Sequence, residues 1–122
     1  MVAKAFGAGS QEDLASLIGN LNPTEADYFL KKLDSIPDGD GTLLDRTAVL
    51  MGSGMSDGNV HNNYNVPVIV VGGKSLGFRG NRHVRYPKGT PLANLMLGMT
   101  DRYGVQLDKF GNSNAAIDVT TI

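Results

Sequence analysis

The chain has 122 residues, enough for one domain that buries roughly two thirds of its unfolded surface. With 41% hydrophobic and 19% charged residues its composition is not that of a disordered chain, and a net charge of −1 gives no pull towards nucleic acid or an anionic membrane. The absence of cysteine excludes disulfides, thiolate zinc sites and cysteine nucleophiles, and no apolar run approaches the roughly 18 residues that cross a bilayer.

Residues 1–9 are small and unpatterned and read as a linker, without the charged-then-apolar pattern of a signal peptide. Ser10 and Asp13 form a capping box for a short helix carrying Leu14, Leu17, Ile18 and Leu21, so that 1–22 reads as an N-terminal extension and 23–122 as an α/β domain. Asn22 as cap and Pro23 at the first helical position open a second helix, whose apolar stripe is Ala26, Phe29, Leu30 and Leu33 and which Pro37 ends. Asp38-Gly39-Asp40-Gly41 has the alternation of a calcium loop. Leu43 and Val49 stand where the invariant Gly and bidentate Glu would be, so the segment reads as a turn.

Two apolar runs follow, Ala48–Met51 and Val66–Val71. Their β-branched content and closing glycines predict strands buried on both faces, the pattern of a small, mostly parallel sheet packed with helices. Ser75–Tyr86 predicts two short exposed strands around Gly80-Asn81. Thr90 as cap and Pro91 at the first helical position predict a helix presenting Leu92, Leu95, Met96, Met99 and Tyr103 on one face, with Gly104 as its stop. The tail from Gly111 is polar, and Ile117–Val119 predicts an edge strand.

The polar stretch between the two apolar runs is the place to look for chemistry, because loops longer than about a dozen residues are often functional. Gly54-Met55-Ser56-Asp57-Gly58 matches the G-x-S-x-G of a hydrolase nucleophile elbow, which must lead into a helix. The Asn-rich segment after it is a poor helix former that runs into Pro67. Asp57 and His61 share this loop, and a carboxylate with an imidazole is a common metal pair; the competing reading is a turn held by its own backbone bonds. Lys74, Arg79, Arg82, His83, Arg85 and Lys88 concentrate positive charge, either as an oxyanion pocket or as a solvated guard on strand edges.

The run GDGTLLDRTAVLMGSGMSDGNVHNNYNVPVIVVGG, with GNRHVRYPKGTPLANLMLGMTDRYGV and DKFGNS after it, resembles the C-terminal part of a bacterial family of unknown function. Those are large, predicted exported proteins, distantly similar to the alkaline phosphatase and sulfatase superfamily. The resemblance covers about Tyr28 to Ser113. It implies the C-terminal portion of a three-layer α/β fold with zinc or manganese at the carboxyl ends of the strands. Asp57 and His61 would then be metal ligands, and Arg82, His83 and Arg85 would orient a phosphate or sulfate ester for hydrolysis. The superfamily's nucleophile lies in an N-terminal half, so the resemblance implies a fragment inactive alone, from an exported or periplasmic protein. The rival expectation is a non-catalytic binding or structural module that self-associates through its sheet as a homo-oligomer.

Overall fold

In the computed structural model the described residues are 3–6 and 23–121. They run as β1 (Ala3–Phe6), α1 (Pro23–Asp34), a hairpin of β2 (Pro37–Asp38) and β3 (Gly41–Thr42), α2 (Leu43–Arg46), β4 (Ala48–Gly52) and β5 (Val68–Gly72). A 3-10 turn at Lys74–Leu76, β6 (Arg82–Val84) and α3 (Leu92–Arg102) complete them. The helix expected from Ser10 to Leu21 lies outside the described residues.

The main sheet has the order β4-β5-β1-β6. β4 and β1 are both antiparallel to β5, and only β1 and β6 run parallel. The expected mostly parallel sheet is therefore corrected to a mostly antiparallel one. The reason lies in the connection. A parallel return needs a crossover, usually a helix, whereas residues 53–67 contain no helix and bring the chain straight back beside β4.

The mixed α/β character does follow from the sequence. β5 is the centre: Val68, Ile69, Val70 and Val71 are at most 3% exposed. Val68 and Val70 pack with Leu95 of α3, Phe78 and Val119, while Ile69 and Val71 pack with Leu30 of α1. Strand alternation thus feeds two cores, one on each face, and each such side chain contributes about 1.5–3 kcal/mol on burial.

α1 occupies the predicted span, but Phe29 stays half exposed while Leu30 points inward. The Asp38–Gly41 turn is a turn, and Arg46 closes it with ion pairs to Asp38 (3.1 Å) and Asp40 (2.9 Å). α2 was not expected. Its capping box is Thr42 with Asp45: the Asp45 amide donates to Thr42 Oγ1 at 3.4 Å, and the Thr42 amide donates to Asp45 Oδ2 at 3.0 Å.

α3 starts one residue later than predicted. Pro91 takes the cap position, and the Thr90 hydroxyl donates back to the Pro87 carbonyl instead. Its buried residues are Asn94, Leu95, Leu97 and Gly98, a face rotated from the predicted stripe, with Leu92 and Tyr103 largely exposed. The tail explains the rotation. Ile117 donates its amide to the Asn94 carbonyl at 3.0 Å, and a Cβ on Gly98 would overlap the Ile117 carbonyl. The expected edge strand at 117–119 is not formed; the tail packs across α3 with Val119 wholly buried.

Two further expectations are corrected. Residues 3–6, read as linker, are the strand between β5 and β6. Ser75–Tyr86 holds one strand rather than a hairpin, with Asn81 in the left-handed region at φ 56°.

Candidate functional site

At the end of β4 the chain leaves the sheet into residues 53–67. This segment holds itself together with polar bonds. Ser56 and Asp57 pair with Asn62: the Ser56 amide and hydroxyl donate to the Asn62 carbonyl (2.8 and 3.0 Å), and the Asn62 amide donates to the Asp57 carbonyl (3.1 Å). Asp57 Oδ1 accepts the Asn59 and Val60 amides at 2.9 and 3.3 Å, an Asx turn that closes the tip. His61 and Asn65 take left-handed backbone, at φ 53° and 56°. The Ser56 of the G-x-S-x-G match is therefore part of a bridged turn with no helix behind it, not a nucleophile elbow.

This architecture does bring Asp57 and His61 into one turn, as the sequence suggests, and both are exposed. The donor set is short for a metal. One Asp57 oxygen already serves two amides, which leaves a second oxygen and one imidazole where a closed zinc site takes four ligands. Among the described residues no three His, Asp or Glu side chains gather. These two residues do not by themselves fit a resident metal.

The three basic candidates do not converge either. Arg82 and His83 are consecutive on β6, so their side chains leave opposite faces of the sheet, and Arg85 lies beyond the strand. Arg82 reaches the opposite way from the loop, with Nη1 at 3.5 Å from the Thr121 carbonyl.

What the fold builds at this end of the sheet is a groove of about 460 Å³, within the size range of small-molecule sites. One wall is Ser53, Gly54 and the Asn63–Val66 stretch; the other is Tyr86, Pro87 and the Thr90–Ala93 start of α3. Leu95 and Ile117 form the floor, and Asn112 reaches in from the tail. Among the described residues the lining contains no Asp, Glu, His, Lys or Arg. Its polar groups are amides and hydroxyls, with exposed Tyr64 at the rim. The Asn62 side chain fixes that rim by accepting the Tyr64 amide at 2.8 Å. The Tyr86 hydroxyl is buried, and desolvation raises its pKa above the ordinary phenol value.

None of the family models, curated proteins or solved structures compared with the chain gives a match. The groove residues Asn63, Tyr64, Asn65 and Tyr86 escape a reading keyed to acids, histidines and arginines. The available signal was the unusual density of Asn between Asn59 and Asn65, residues that hydrogen-bond without carrying charge.

Proposed function

We propose that this chain is a non-catalytic binding module whose groove takes a small, neutral, hydroxylated ligand of the saccharide class. The observation that carries this is the lining: side-chain amides and hydroxyls over an apolar floor, beside an exposed tyrosine ring, with no carboxylate, imidazole or cation among the described residues. Such a surface donates and accepts hydrogen bonds with hydroxyl groups while stacking on the apolar face of a sugar ring. Calorimetric titration with a panel of mono- and oligosaccharides is the test. Saturable binding that Tyr64→Ala weakens supports the reading, and a panel without binding removes it.

The second reading is the metal-dependent phosphate or sulfate ester hydrolase, with zinc or manganese on Asp57 and His61 and further ligands from another segment or chain. The shared turn of Asp57 and His61 favours it. After dialysis against chelator, metal that binds the folded state raises Tm as RT ln(1 + [L]/Kd). A rise on zinc or manganese that is lost in Asp57→Ala and His61→Ala supports the hydrolase reading; an unmoved Tm leaves the binding module. We also propose self-association, supported by the outer strands β4 and β6 and by exposed Tyr28, Phe29, Val105 and Phe110. Light scattering that finds a monomer at high concentration rejects it.

A further inference from the structure

Three arginines from separate segments meet at the C-terminal stretch of the chain. Arg79 and Arg102 line an open hollow of about 540 Å³ together with Gly77, Thr120 and Thr121. Arg82 approaches the same stretch from β6, at 3.5 Å from the Thr121 carbonyl. Arg102 Nε donates to the Leu76 carbonyl at 2.6 Å. Backbone oxygens therefore aim two of the guanidinium groups, and among the described residues they engage only one nitrogen of each. Gly77 keeps the hollow open, since a Cβ there would come 3.1 Å from Arg102 Nη2.

Among the described residues the ion pairs belong to Lys31 and Arg46, and none of these three arginines is in one. Asp118 is the nearby acid, and its Oδ1 accepts from the Thr120 amide at 2.9 Å and the Thr120 hydroxyl at 2.6 Å. Among the described residues two guanidinium groups line the hollow, with Asp118, on whose carboxylate Arg102 also acts, as the acid beside them.

We infer that this hollow is an oxyanion site for a tetrahedral dianion, a phosphate or sulfate group, held by Arg79 and Arg102. Guanidinium forks match the oxygen spacing of such groups. The site is separate from the groove and does not depend on what the groove binds.

The test titrates inorganic phosphate, and then sulfate, into the full chain at constant ionic strength, with chloride as the control. Amide shifts of Gly77, Thr120 and Thr121 are followed by NMR, and affinity by calorimetry. Saturable shifts at these amides are expected, with binding weakened about tenfold in Arg79→Gln and in Arg102→Gln and unchanged in Arg85→Gln. Arg79 has no hydrogen bond or ion pair among the described residues, so Arg79→Gln tests the site even where loss of the Arg102–Leu76 bond loosens the fold. Equal shifts with chloride, or wild-type phosphate affinity in both variants, would overturn the inference.

Discussion

The face of β5 that meets α3 and the loop of residues 53–67 lie next to each other and are held by opposite means. On the α3 face the contacts are apolar and close, with Leu95 and Val68 each 1% exposed and Val119 wholly buried. In the loop nearly every named contact is a hydrogen bond from one loop residue to another, and Met55, Val60 and Tyr64 face water. The first region depends on the rest of the molecule and the second on itself. Stability should therefore reside in the first, while the second is free to carry recognition.

Leu95→Ala should show the largest effect, a loss of about 3–5 kcal/mol in urea unfolding, because it empties the point where β5, Phe78 and the tail converge. Asn94→Ala should come next, at about 2 kcal/mol. Asn94 Oδ1 accepts the Asn114 and Ala115 amides at 3.0 and 3.4 Å, and its Nδ2 donates to Asn114 Oδ1 at 2.8 Å. Asp57→Ala should lower stability by no more than about 1 kcal/mol and speed hydrogen exchange only at the loop amides of Asn59 and Val60. A stability loss in Asp57→Ala as large as that in Leu95→Ala would break the division. His61→Gly should be the mildest, within about 0.5 kcal/mol by thermal melting, since glycine adopts the φ of 53° without strain.

A titration sharpens the same contrast. Tyr86 lies where the two regions meet, and its folded-state pKa is raised by burial. The sign follows directly. Below the unfolded value of about 10 both states keep the proton, so stability does not depend on this group there. Above it the unfolded chain ionises first, and stability falls as pH rises through the folded value. Ultraviolet titration should show one of the four tyrosines ionising last, and Tyr86→Phe should remove that step.

The strands were legible because β4 and β5 are unbroken apolar runs, and α1 and α3 because Pro23 and Pro91 mark their starts. Strand direction was not, since it depends on whether residues 53–67 hold a helix, and apolar pattern is silent about a polar segment. The buried face of α3 was misread for a related reason. Periodicity rewards Leu92 and Tyr103, while Asn94 and Gly98 are buried by a tail whose path no local pattern encodes. Thr42 and Asp45 did carry a readable capping signal, but for a helix of four residues. Asp57 and His61 drew attention to a loop that forms one wall of the groove, but among the described residues the groove is lined without Asp, Glu, His, Lys or Arg, so the residues that line it carry no such signal.

The place of β1 has one more consequence. Residues 3–6 lie far along the chain from their hydrogen-bonding partners on either side, residues 68–71 and 82–84. Closing so long a span makes assembly of the sheet a slow, non-local step. Removing the first six residues would orphan β6 and bare the far edge of β5 at one stroke, converting the best-protected strand of the molecule into a template for aggregation.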